Sequence, residues 1–181
     1  MQTLKFISAL GLASLVGAGW AAPKPQMLIV EIADRGEVVI ELSEKAPLAT
    51  AHIGALADKG FYNGQKIFRV VRSPRPFLAQ MGDPLTKSRA LTDDSIGSGG
   101  TGAAIPFEET GWKHTKGAVG LAMKADANGK LVGDSQFYFM LGNAGFLDGK
   151  YTVFGRITKG AELLEKLAEG DVITRVSLNR G

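Results

Sequence analysis

Eight short apolar runs punctuate the chain, at 27–33, 37–42, 66–71, 78–82, 118–123, 136–141, 152–157 and 172–178, with glycine-rich turns between them. Runs of this length, rich in β-branched and aromatic residues and bounded by turn formers, are strands rather than helices. The first two are joined by Asp34-Arg35-Gly36, which is short enough for a hairpin. Helical character is confined to two segments. In one, Pro47 stands where a helix opens, 48–59 is rich in Ala and Leu, and Gly60 follows as the stop. The other covers about 161–167. Many short strands with two helices predict a mainly β fold, a closed eight-stranded antiparallel β-barrel capped by two α-helices.

Ahead of the first strand the chain reads as an export leader. Lys5 is the sole early charge, residues 6–22 are uncharged, and Gly19-Trp20-Ala21 offers a small-x-small cleavage site before Ala22. The uncharged stretch has 17 residues, short of the roughly 20 that span a bilayer, so a cleaved leader is expected rather than a retained anchor. The expected division is a signal peptide at 1–21 and a single domain at 22–181, periplasmic or secreted after cleavage and monomeric. That domain is long enough to bury one core.

Composition narrows the chemistry. There is no cysteine and there are two histidines, His52 in the first helical segment and His114 in a loop. Disulfides and thiolate metal sites are excluded, and the two histidines lack the spacing of a metal site or a serine triad, so no metal and no cofactor are expected. Both histidines are expected in structural roles. Twenty-one basic and 18 acidic residues are mixed along the chain, which is not the footprint of a nucleic-acid binder.

Two motifs tempt. Gly97-Ser98-Gly99-Gly100-Thr101-Gly102 fits the dinucleotide glycine pattern, but Pro106 follows soon after and discourages the long helix such a site requires. It is expected to be a tight loop within the patternless stretch 84–105, a surface excursion beside the site. Asp126-Ala127-Asn128-Gly129-Lys130 lacks the closing glutamate of a calcium loop and reads as a turn. More informative is the clustering of Arg69, Gln80 and Gln136 among Phe68, Phe77, Phe137 and Tyr138. One fixed cation and two amides among aromatics suit the gripping of an apolar, uncharged group beside a positive charge. By the period of two, Gln136 and Tyr138 share one face of a strand and Phe137 and Phe139 the other.

From about residue 27 to 178 the chain resembles the cyclophilin-type peptidyl-prolyl isomerases, particularly exported bacterial ones. The resemblance is carried by Gly60-Phe61-Tyr62-Asn63-Gly64, Phe68-Arg69-Val70-Val71, Phe77-x-x-Gln80-x-Gly82-Asp83, Ile105-Pro106-Phe107-Glu108, Gly117-Ala118-Val119, Ser135-Gln136-Phe137 and Phe146-Leu147-Asp148-Gly149-Lys150, in order. It implies a barrel like the one deduced from the strand count. It also implies that Arg69 is the catalytic arginine, that Phe77 lines the proline pocket and that Gln80 fixes the substrate backbone. Leu78, Ala122, Gln136, Tyr138, Phe146, Leu147 and Tyr151 fall on other groove positions. Several positions depart from the family pattern. Phe68 stands where histidine is usual, Met123 where a polar residue is frequent, Tyr138 for phenylalanine and Phe146 for tryptophan, and Arg72-Ser73-Pro74-Arg75-Pro76 lengthens the path from Arg69 to Phe77 by three residues. Phe68 and Met123 are still expected to line the groove. The expected function is cofactor-independent isomerisation of proline-containing polypeptides in the folding of exported proteins. The alternative on the same fold is a catalytically weak proline-peptide-binding module or chaperone.

Overall fold

The computed structural model describes residues 25–180, so the leader expected at 1–21 lies outside the described residues. Nine strands form one antiparallel sheet: β1 (Met27–Ile32), β2 (Gly36–Leu42), β3 (Arg69–Val71), β4 (Leu78–Met81), β5 (Ile105–Pro106), β6 (Ala118–Ala125), β7 (Leu131–Met140), β8 (Val153–Lys159) and β9 (Ile173–Asn179). Eight follow the path β3-β4-β7-β6-β8-β2-β1-β9, while the two-residue β5 pairs with β7 beside it. The eight strands on the path are the eight runs expected.

Two expectations are corrected. The barrel is not closed by a continuous ladder: the sheet is curled, and its end strands β3 and β9 share no register. The run expected as a strand from 66 pairs in register only from Arg69, because residues 65–67 bond elsewhere. A single bridge joins Lys66 to Val172, flanked by Ile67 N–H to Asp171 O at 2.9 Å and Ile173 N–H to Gln65 O at 2.8 Å. The second correction concerns the helices, since among the described residues one α-helix is formed rather than two. α1 spans Pro47–Asp58, whereas Ala161–Glu165 is a 3-10 turn. There Arg72 donates to the carbonyls of Leu164 and Leu167 at 2.8 and 2.9 Å, and Asp171 accepts from Ala168 N–H at 2.9 Å. Carbonyls engaged by a side chain and a chain that must turn at once leave no room for repeated helical bonds.

The first turn of α1 has no capping side chain of its own. Glu108 supplies the missing acceptors from far along the chain, taking Leu48 N–H and Ala49 N–H at 2.9 Å each and placing a negative charge at the helix N-terminus. The helix lies over the end of the curled sheet, where a Cβ on Gly54 would sit 2.8 Å from a Leu178 methyl, so glycine lets the two elements approach without that side chain shifting. Alternation then divides the apolar residues. Leu28, Val30, Ile32, Val38, Ile40, Phe137, Phe139 and Phe154 pack inside with Ile53 and Leu56 of α1. A separate cluster on the outer face gathers Leu78, Tyr138, Met140, Leu147 and Val153, with Phe77, Ala122 and Tyr151 at its edge.

Candidate active site

Strand register brings the expected residues together on this outer face. Arg69 is paired with Gln80, Gln80 with Tyr138, and Tyr138 with Gly120, so one row crosses β3, β4, β7 and β6. Gln136, two residues before Tyr138, points the same way, as the period of two requires. A line of side-chain hydrogen bonds follows. Arg69 Nη1 donates to Gln80 Oε1 at 3.4 Å, Gln80 Nε2 donates to Gln136 Oε1 at 3.0 Å, and Gln136 Nε2 donates to the carbonyls of Gly97 and Gly99 at 2.9 and 2.8 Å. The guanidinium is exposed at the end of this line. With a single long contact, most of its donors face outward.

Beside the polar line stands an apolar wall. Phe77 and Phe146 stack with centroids 5.7 Å apart, and Phe146 is 58% exposed, unusual for so large an apolar side chain. Leu78, Tyr138 and Leu147 are buried behind them, and Tyr151 meets Tyr138 edge-on at 6.4 Å. Ala122 and Met123 line a neighbouring cavity of about 490 Å³ that shares Gln80 and Gln136 as a wall. The Phe68 ring lies 3.5 Å from where a Cβ of Gly97 would stand, against the glycine loop that lines this cavity.

That loop is held by two carboxylates. Asp83, fully buried, accepts from Leu85, Gly97 and Gly99 N–H at 2.8, 2.5 and 3.2 Å. Asp134 accepts from Thr101 N–H at 2.6 Å, Gly102 N–H at 2.9 Å and His52 Nε2 at 3.0 Å. Cβ atoms on Gly99 and Gly100 would lie 2.1 and 2.5 Å from those carboxylates, which is why glycines stand there. The loop's amides are engaged by carboxylates, an arrangement that opposes a phosphate.

His114 was not legible in the sequence as part of any constellation. It is buried, with Asp148 Oδ1 accepting from both its backbone N–H and its Nδ1 at 2.9 Å, and its Nε2 lies 3.0 Å from the Tyr138 hydroxyl. The backbone N–H of His114, and then its ring, hold the Asp148 carboxyl below the usual carboxylate range, while burial acts against them. Burial pushes the Tyr138 phenol well above its ordinary value, so it stays a neutral hydroxyl. The partners are 34 and 24 positions apart, and the signal available beforehand was a histidine and an aspartate among the family-like motifs.

A curled antiparallel sheet thus carries an exposed guanidinium, two linked amides and a stacked aromatic pair side by side. The family model for cyclophilin type peptidyl-prolyl cis-trans isomerase matches residues 27–179. The chain is 35% identical over 148 residues to a peptidyl-prolyl cis-trans isomerase of Helicobacter pylori, covering 79% of this chain and 81% of that protein. It is 36% identical over 144 residues to peptidyl-prolyl cis-trans isomerase B of Bacillus subtilis, covering 79% of this chain and 91% of the relative. A Cryptosporidium parvum cyclophilin type isomerase superposes with a TM-score of 0.72 at 22% identity, over 87% of this chain and 99% of that one, a likeness of fold. The chain belongs to the cyclophilin-type peptidyl-prolyl cis-trans isomerase family, and it is an enzyme of that class.

Proposed function

We propose that this isomerase acts on proline-containing segments of exported polypeptides, with Arg69 as the group that lowers the rotational barrier. An amide C–N bond resists rotation by ~18–20 kcal/mol because the nitrogen lone pair is delocalised into the carbonyl. Before proline both isomers are populated, yet exchange takes roughly tens to hundreds of seconds, long enough to limit folding. In the twisted state the lone pair returns to nitrogen, which then accepts a hydrogen bond that the planar amide could not. A donor aimed there binds the transition state more tightly than the substrate, which is the condition for acceleration.

The observation that carries this reading is the exposed guanidinium at the end of the Gln80–Gln136 line, beside the Phe77–Phe146 stack. Arginine remains charged at any physiological pH and presents a rigid fork of donors. In this mechanism Phe77, Tyr138, Phe146 and Leu147 hold the pyrrolidine ring, Gln80 and Gln136 anchor the flanking backbone, and the free carbonyl side turns. No proton leaves a side chain and no covalent intermediate forms. The Lys5-to-Ala21 pattern supports a leader that directs the remaining chain to the periplasm or outside the cell, where it works as a monomer.

A protease-coupled assay on residues 22–181 tests the catalytic part: Arg69→Ala is expected to lower kcat/KM at least about tenfold, equivalent to roughly 1.4 kcal/mol of barrier. Wild-type activity in that variant would refute the role of Arg69, and binding without turnover in the unaltered protein would favour a chaperone. N-terminal sequencing of the product from a bacterial periplasm tests the address, with Ala22 expected first and an uncut membrane-bound chain contradicting it.

A further inference from the structure

We infer that His114 is a positioning residue for isomerisation, tying the two walls of the apolar pocket together through hydrogen bonds to Tyr138 on one side and to both ends of the Phe146-Leu147 turn on the other. The inference rests on the reading above, in which those walls hold the substrate's proline ring.

The two walls come from different parts of the chain. Tyr138 belongs to β7, whereas Phe146 and Leu147 belong to the 3-10 turn Gly145–Leu147. His114, in the loop before β6, reaches both. Its carbonyl accepts from Ala144 N–H at 2.8 Å, just ahead of the turn, and its backbone N–H and ring Nδ1 both meet Asp148 Oδ1 at 2.9 Å, just after it. A carboxylate accepts only, so Nδ1 carries the proton. In the neutral ring Nε2 is then left as an acceptor, and the Tyr138 hydroxyl donates to it at 3.0 Å. The two rings also stack, with centroids 6.1 Å apart and planes 24° from parallel.

Tyr138 has no freedom to relax on its other side. A Cβ at Gly120 would fall 2.3 Å from its Cζ, so the ring lies directly against the β6 backbone. Its hydroxyl is therefore pressed between a bare stretch of main chain and the imidazole. Removing the imidazole leaves a buried hydroxyl without its acceptor and takes one of the two His114 bonds from Asp148; the main chain at 114 stays bonded to both ends of the turn, but the turn loses its tie to Tyr138. Neither Tyr138 nor Phe146 would lose its own apolar surface. The loss would be of spacing, felt equally by bound substrate and transition state, and would thus raise KM and spare kcat.

The two ring nitrogens can be tested separately. Asparagine at 114 keeps a donor near the Nδ1 position and loses the acceptor for Tyr138, whereas glutamine reaches the Nε2 position and loses the donor to Asp148. Each of His114→Asn and His114→Gln is expected to raise KM for a proline peptide at least about threefold with kcat changed less than about twofold. Adding Tyr138→Phe to His114→Asn deletes the orphaned hydroxyl and should return KM to that of Tyr138→Phe alone, a non-additive cycle. Added to His114→Gln it should multiply the two effects. Should His114→Asn fail to fold, Asp148→Ala measures the other tie, with the same rise in KM expected. Unchanged KM in the folded variants, or multiplication in the asparagine cycle, overturns the inference while leaving the role of Arg69 intact. Loss of that role would appear separately, as full activity in Arg69→Ala.

Discussion

The two faces of β7 use the same strand for opposite purposes. Phe137 and Phe139 point inward into the apolar core, where Phe137 meets Tyr62, Phe139 and Phe154. Gln136 and Tyr138, one position out of step, point outward into amide and imidazole hydrogen bonds beside the stack of half-buried Phe77 on exposed Phe146. Inside, these phenylalanines are fully buried, and the Tyr62 hydroxyl among them donates to the Ser135 carbonyl at 3.1 Å. Outside, apolar surface is left partly uncovered, and each buried polar group is given a partner. The inner face therefore supplies stability, and the outer face leaves apolar and cationic surface uncovered, which the proposed function assigns to substrate.

Exchanging large for small on each face should separate these roles. Phe154→Ala, at a fully buried position, is expected to destabilise the protein by about 3–5 kcal/mol. Its kcat/KM should stay near wild type at temperatures where it remains folded. Chemical denaturation with a matched activity assay checks both. Phe146→Ala should do the reverse. Stability should change by about 0.5 kcal/mol or less because the ring is already largely exposed, while KM rises at least about threefold. If the two variants behaved alike, the division between the faces would fail.

A smaller effect is expected where the fold relies on a distant residue. Glu108→Ala removes the acceptors for Leu48 and Ala49 N–H and should cost about 1 kcal/mol, read as a lowered denaturation midpoint with unaltered KM. The smallest effect concerns pH. Because the Asp148 carboxyl is held below its ordinary value, its hydrogen bonds are fully present above the ordinary carboxylate pKa of about 4 and are lost as pH falls through the lowered value. Lys113, 3.7 Å from Asp148, adds to that preference for the charged form. KM for an uncharged peptide should thus be level from about pH 8 to 5 and rise only in stronger acid. A rise already complete by about pH 6 would contradict the assignment to Asp148.

The strands were legible because alternation and turn residues act locally: β1 reads as alternately half-buried and buried, and Asp34 and Gly36 both take positive φ in the turn after it. The row Arg69, Gln80, Gln136, Tyr138 was legible through its resemblance to a known family, and strand register accounts for its coherence. What escaped was set by long-range partners. Residues 161–167 carry good helix formers, yet Arg72, about 90 positions earlier, takes the carbonyls and leaves a 3-10 turn. Closure of the barrel depended on how residues 65–67 meet 171–173, a pairing no local pattern encodes. His114 looked like an isolated loop residue because its partners, Tyr138 and Asp148, are joined to it only by the fold.

The account's central claim is that Arg69 acts on the twisted amide rather than on the bound peptide, and exchange spectroscopy on an enzyme-bound proline peptide tests it most directly. Arg69→Ala should bind the peptide within about threefold of the wild-type Kd while the on-enzyme rate of cis–trans exchange falls at least about tenfold. A tenfold weaker Kd with an unchanged exchange rate would contradict it and would assign Arg69 to ground-state binding alone.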